Sequence, residues 1–224
     1  KNASALVTVS KPLADKLQQL HKDIPVYSIT NGFDPEEVRN DDYPTSSDKL
    51  IITYTGQVYD GKRDPSLLFE YIAHSINAGE LDRNKIEVNF YGPHSKQLSE
   101  QIQGLRLEEI VKQHGMVDRV TAIQKQRESS ILLMLNWNDP AEEGVYTGKL
   151  FEYLAARRPI LAIGGPGGVV KELLNETKTG FHVNDYEALR RVLKTWFKEF
   201  IQTGAISYNA DNELMYQYSH LAMA

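Results

Sequence analysis

Two short stretches carry side chains that could hold an anionic ligand. In the first, Thr147-Gly148-Lys149 runs straight into a short helical pattern bearing Glu152 and Tyr153. A helix that opens on glycine leaves its first N–H groups unpaired, so an anion there gains hydrogen bonds and the positive end of the helix dipole. Thr147 offers a hydroxyl and Lys149 a charge, although a threonine at a helix start also reads as a plain N-cap. Glu152 can accept both hydroxyls of a ribose, and it reads equally as an exposed helix glutamate. In the second stretch, GQVYDGKRDP, the loop opened by Gly56 places Lys62 and Arg63 after an apolar strand. These two residues offer phosphate oxygens a point charge and a bidentate fork, unless the loop is merely solvated.

Spacing argues against other chemistries. The TGK lacks the glycine that a P-loop places five residues before its GK, and no GxGxxG follows the first strand of the main repeat. That strand ends without an acidic cluster. His94 and His114 have no partner at metal-ligand spacing, so no metal site is expected. No Ser-His-Asp arrangement is recognisable from spacing.

The 224 residues can bury a sizeable core. With 25 Lys+Arg against 30 Asp+Glu and a net charge of −5, there is no extended basic field for nucleic acid. The absence of cysteine fits a reducing compartment, and a cytoplasmic location is the expectation. No apolar run approaches the roughly 20 residues needed to span a bilayer. Beginning at Lys1 and entering at once the apolar run ALVTVS, the chain reads as a piece of a longer protein.

The elements that must position these residues alternate. Ala5 to Val9 reads as a strand, Ser10-Lys11-Pro12 opens a helix to about Leu20, and Ile24 to Ile29 is a second strand. A turn at Thr30 to Asp34 follows, and Pro35 to Asp48 reads as a polar surface linker. From Leu50 the chain repeats strand then helix: LIITYTG and a helix from Asp64-Pro65 to about Ala78, then Lys85 to Gly92 and a helix from about Lys96 to Gln113 capped by His114-Gly115. Next come a short strand at Val120 to Ile123, a helical turn at Gln124 to Ser129, and the apolar strand Ile131 to Trp137. Beyond the helix bearing Glu152 lie the strand Pro159 to Ile163, a helix from Val169 to Glu176, a strand at Gly180 to Val183, and helices at Tyr186 to Gln202 and Asn212 to Ala222. Apolar strands alternating with helices predict a doubly wound, Rossmann-like α/β fold with a parallel sheet covered on both faces. Ligands bind such sheets outside the carboxyl ends of the strands. That rule nominates the loops Gly56 to Arg63, Gly92 to Ser95, Gly115 to Val117, Asp139 to Lys149 and Gly164 to Gly168.

The segments SITNGFD (28–34), YTGQVYDGKRDP (54–65), NFYGP (89–93), HGMV (114–117), TGKLFEYLAARRPILA (147–162) and GGVVKELLNETKTGFHV (167–183) occur in an order that resembles the C-terminal, donor-binding domain of GT-B glycosyltransferases, most like glycosyltransferase family 4. The resemblance implies no cofactor and a nucleoside-diphosphate sugar, UDP- or GDP-linked, as donor. Gly56, Lys62, Arg63, Thr147, Gly148 and Lys149 would line its diphosphate, Glu152 its ribose, and Gly115, Met116 and Val117 its nucleobase. Glu143 is a candidate sugar contact. The family's usual arginine after the first glycine is Gln57 here, and its first glutamate is replaced by Gly144, both on the sugar side. Residues 1–34 would then end an N-terminal domain and linker, 35–205 form the donor domain, and 206–224 cross back toward an acceptor-binding domain absent from this sequence. The acceptor would be a saccharide or a lipid-linked one in polysaccharide or glycoconjugate synthesis, with peripheral membrane association of the full-length enzyme also in view and retention of configuration favoured. A non-catalytic nucleotide-sugar-binding module and a sugar-nucleotide epimerase of the same architecture are the alternatives.

Overall fold

The computed structural model describes residues 3–38 and 47–223. Positions 39–46 of the segment read as a linker lie outside the described residues. A small unit comes first: β1 (Leu6–Thr8), α1 (Lys11–Leu20) and β2 (Val26–Ser28), with the two strands paired in parallel. Ser10 caps α1 through its hydroxyl, and Pro12 sits in the first turn, as the sequence predicts.

The main unit is a six-stranded parallel sheet. Its strands are β3 (Leu50–Thr55), β4 (Ile86–Tyr91), β5 (Val111–Gly115), β6 (Ile131–Leu135), β7 (Ile160–Ile163) and β8 (Gly180–Val183), in spatial order β5-β4-β3-β6-β7-β8. The order reverses between β3 and β6, so the loops leaving their carboxyl ends face one another across a crevice. The connecting helices are α2 (Ser66–Asn77), α3 (Lys96–Gly104), α4 (Arg119–Arg127), α5 (Gly148–Ala156), α6 (Gly168–Thr177) and α7 (Tyr186–Thr203), and the short α8 (Asn212–Tyr216) follows.

Strand residues point alternately to two cores. Ile52, Tyr54, Val88 and Phe90 pack with Phe69, Ile72, Leu193 and Phe200 of α2 and α7, while Leu132, Met134, Ile160 and Ala162 pack with Phe151, Leu154, Leu173 and Met215 on the other face. Between α4, α5 and the sheet runs a polar seam. Thr55 donates its N–H to the buried Tyr153 hydroxyl at 3.0 Å, and Gln126 donates to Thr55 Oγ1 at 2.9 Å. This seam fixes α5 against the end of β3.

Three predicted spans differ. The helix expected from Lys96 to Gln113 stops at Gly104, and Arg106 takes a left-handed φ of 57° before β5 begins. Leu107, Ile110 and Val111 match helical spacing, but the open edge of β4 needs partners: Val88 N–H donates to Ile110 O and Gly92 N–H to Gly115 O, each at 2.9 Å. His114-Gly115 therefore ends a strand and caps no helix. The strand expected at Val120 to Ile123 lies inside α4, whose start is capped by Asp118 accepting from Thr121 N–H at 2.8 Å. The final helix ends at Tyr216, because the following residues pair with the turn at Phe33, which bridges Ser219.

Candidate functional site

All five nominated loops sit at carboxyl ends of strands of the one parallel sheet, where the switch-point rule places ligands. At the crevice, Gly56 ends β3 with φ +119°, a conformation that glycine adopts without penalty. A Cβ there would stand 2.8 Å from Lys149 Nζ, and a Cβ on Gly92 would stand 2.2 Å from Gly56 O. The sequence thus uses two glycines to let a lysine and a neighbouring loop approach the strand end.

Lys149 comes from the first turn of α5, and its ammonium lies 3.7 Å from the centre of the Tyr54 ring. Desolvation holds its pKa well below the ordinary lysine range, Arg63 adds to the lowering, and Glu152 opposes it. Arg63 is pinned: its Nη1 donates to Tyr54 Oη at 3.2 Å and to Gln57 O at 3.1 Å, and its guanidinium stacks 5.0 Å from the Tyr59 ring. Among the described residues neither cation lies in an ion pair with a carboxylate. Lys62 is exposed, with its ammonium 4.2 Å over Trp137, and Trp137 in turn meets Tyr59 edge-on at 6.0 Å. The loop itself is held from α3 by Gln97, which accepts from Gly61 N–H at 2.9 Å, and by Ser95, which donates to Asp60 at 2.6 Å.

Two hollows open beside the head of α5. One, of about 180 Å³, is lined by Arg63, Asn136, Trp137, Glu142, Glu143 and Thr147 over an apolar floor that includes Met134 and Val170. Among the described residues, three buried polar atoms of its lining side chains have no hydrogen-bond partner: Arg63 Nε, Trp137 Nε1 and Thr147 Oγ1. Thr147 does occupy the N-cap position of α5, but its hydroxyl makes no capping bond. The other hollow, about 570 Å³, is walled by Gly148 and Glu152 of α5, by Arg119 and Glu37, and by the turn at Asn31 to Asp34. Glu152 is half-buried there and receives a long 3.5 Å contact from Gln126 Nε2.

The structure therefore brings Gly56, Lys62, Arg63, Thr147, Gly148, Lys149, Glu152 and Glu143 around one crevice. Gly115, Met116 and Val117 stand apart at the end of β5 and line neither hollow, and Met116 is exposed. Sequence reasoning missed Trp137, Asn136, Tyr54 and Tyr59. The apolar run ILLMLNW absorbed Trp137 into a strand, although β6 ends at Leu135 and the next residues already belong to the switch-point loop. Gly144 is packed against α1: a Cβ there would lie 3.0 Å from Leu13 Cγ, and Ser10 Oγ donates to Gly144 O at 2.5 Å. A side chain at the position where the resembling enzymes carry their first glutamate would crowd Leu13, Pro12 and Ser10.

Fold and crevice together define a doubly wound α/β domain with an anion-ready switch point, and its six-stranded parallel sheet and flanking helices match the Rossmann-like fold of GT-B glycosyltransferases. HepE of Anabaena, solved in complex with UDP and glucose, superposes with a TM-score of 0.73 at 16% identity over 99% of this chain and 61% of its own. TarM of S. aureus, solved with fondaparinux, alpha-GlcNAc-glycerol and UDP, gives 0.71 at 14% identity over 98% and 42%. Sucrose-phosphate synthase from Thermosynechococcus elongatus gives 0.70 at 15% over 99% and 56%. The chain thus spans 42–61% of the length of these glycosyltransferases, and the likeness is one of fold. No protein-family model and no curated protein matches the sequence.

Proposed function

We propose that this chain is the nucleotide-sugar-binding, C-terminal half of a GT-B glycosyltransferase of the family 4 kind. The whole enzyme would move a sugar from a nucleoside diphosphate to the hydroxyl of a saccharide or lipid-linked acceptor. The observation that carries the reading is the pair Arg63 and Lys149, two crowded, partly buried cations without a carboxylate partner among the described residues, converging on the open N-terminus of α5. Desolvated charges of one sign call for a ligand of the other. A diphosphate supplies it, and UDP is the nucleotide found with both HepE and TarM.

In this reading the leaving diphosphate gains charge as the glycosidic bond breaks. Arg63, Lys149, Lys62 and the first amides of α5 are fixed before the reaction, so they stabilise that charge without reorganising. Glu152 takes the ribose hydroxyls from the wall of the larger hollow. The resemblance assigns the base to the loop Gly115 to Val117, which stands apart from both hollows at the end of β5. The acceptor-binding half lies upstream, on the side of β1, α1 and β2, and the fragment alone transfers sugar poorly. Calorimetry with UDP and GDP tests the reading directly: one of them should bind and the other bind more weakly, and no heat with either would refute it.

A second reading, a nucleotide-sugar-binding module without transfer activity, draws on Gly144, which carries no carboxylate and packs closely against Leu13 and Ser10. Joining the chain to its upstream half and assaying transfer to acceptor separates the two readings. A sugar-nucleotide product formed without acceptor would instead point to an epimerase.

A further inference from the structure

The two edges of the six-stranded sheet are treated differently. At one, β5 carries the exposed Lys112, and its register with β4 shifts between Phe90 and Tyr91. Charges and bulges of this kind keep an edge strand from pairing with another chain. At the other edge, β8 reads Gly180-Phe181-His182-Val183 in unbroken register with β7, with no lysine or proline, and Phe181 is 49% exposed. Ile160 donates its N–H to Thr179 O and Gly164 donates to Val183 O, so these residues turn their backbone groups to β7. The alternate residues, Gly180 and His182, therefore aim N–H and C=O outward along the open edge. Beside them, between β8 and α7, lies a hollow of about 800 Å³ whose lower end is lined by Ser207, Tyr208 and Asn209.

The partner is indicated by α7. Arg191, Thr195 and Glu199 line the hollow at intervals of one helical turn, so they form a single stripe. Arg191 and Glu199 stand about 12 Å apart along the helix, too far to pair with each other. Among the described residues neither is in an ion pair, although Glu199 accepts from Ser207 N–H at 2.9 Å. Phe181 lies against Trp196, the neighbour of Thr195, with ring centres 5.6 Å apart. A two-fold axis normal to the sheet at Phe181 therefore passes close to Thr195 as well. Two copies related by that axis pair β8 antiparallel, with Gly180 opposite His182 and Phe181 facing its own copy. The same axis brings Arg191 of each copy to Glu199 of the other. The stripe is its own complement, as a contact between identical surfaces requires; an unrelated strand would use the backbone edge but not this order of charges.

We propose that the β8 edge is an interface between two copies of this chain, which joins their six-stranded sheets across a two-fold axis. Because the strands meet antiparallel, the two crevices point in opposite directions and both stay open. Sedimentation equilibrium of the 224-residue chain should show a species of twice 25.4 kDa that dissociates on dilution. Arg191→Glu and Glu199→Arg each set like charges in both helix contacts, and each should weaken the dimer by about tenfold or more. Mixed together, the two variants present opposite charges at both contacts again. The mixture should therefore form a heterodimer at concentrations where neither component pairs with itself, a rescue that a merely structural effect of either substitution would not give. Phe181→Lys places two lysines face to face at the axis and should leave a monomer. A chain that stays monomeric up to about 100 μM overturns the proposal and leaves the edge to a strand of another protein, and that measurement needs no variant to fold. A dimer that all three substitutions leave intact overturns it too.

Discussion

Replacing Lys149 by methionine removes the charge while keeping a flexible chain of similar volume over the Tyr54 ring. Two unit charges about 4 Å apart interact by roughly 4 kcal/mol at an effective dielectric of 20. In most sites the ammonium must shed water to collect that energy, but here desolvation is already the largest cause of its lowered pKa in the free protein. Arg63 shares the anion, so the loss should fall in the range of a charged hydrogen bond, about 1.5–3 kcal/mol. That is roughly a 10- to 150-fold weaker dissociation constant for the diphosphate.

The free protein should move the other way. A lysine whose folded pKa is depressed binds fewer protons folded than unfolded, so between that lowered value and the ordinary 10.5 the stability rises with pH. The methionine variant should lose this rise and melt higher than the original at the acid end of the window. Diphosphate binding returns the proton to Lys149, so affinity should fall with increasing pH across the same window, and the variant's affinity should be flatter. Calorimetry and thermal melts from neutral pH to about pH 10 measure both. A variant that binds UDP and GDP within threefold of the original, with an unchanged pH profile, would show that Lys149 does not face the diphosphate.

Other perturbations follow from the same geometry. Gly144→Glu restores the carboxylate that the resembling enzymes carry, yet its Cβ would press on Leu13, Pro12 and Ser10; overpacking of this kind costs about 1–3 kcal/mol, visible as a lower urea midpoint without tighter donor binding. Gly168→Ala places a Cβ 2.1 Å from Glu143 O at a φ of +47°, so the loop beside the smaller hollow must shift, and the melting temperature should drop by several degrees. Glu152→Gln should weaken UDP binding by about 1 kcal/mol while leaving 2′-deoxy-UDP much less affected. Equal losses for the two nucleotides would take the ribose away from Glu152.

Much of the fold could be read along the chain. The runs at 50–55, 131–135 and 160–163, and 86–91 with its Glu87 and Asn89, are largely buried strands because both sheet faces are covered, and predominantly apolar character is what such strands require. β5 escaped because it is an edge strand whose exposed lysine and histidine and half-buried glutamine give it no apolar run, and its leucine and isoleucine neighbours imitate a helix. The first half of α4, Val120 to Ile123, reads as a strand from its β-branched residues, whereas the Asp118 cap starts the helix there and Gln124 to Arg127 continue it as expected.

The candidate site divides along the same line. Local chemistry alone identified the head of α5 and the Lys62-Arg63 loop, since glycine, threonine and cations beside a helix start act through groups a few residues apart. The sequence also marked Gly56 and Gly92 as strand ends, where β3 and β4 stop at the residue before. Only the tertiary structure decided that Lys62 lies on Trp137, that Arg63 and Thr147 line one hollow, and that Ser10, 134 residues away, holds Gly144. Those are contacts across the switch point and between the two units, and nothing in the local propensities of a chain records which distant side chain will close a hydrogen bond or leave it open.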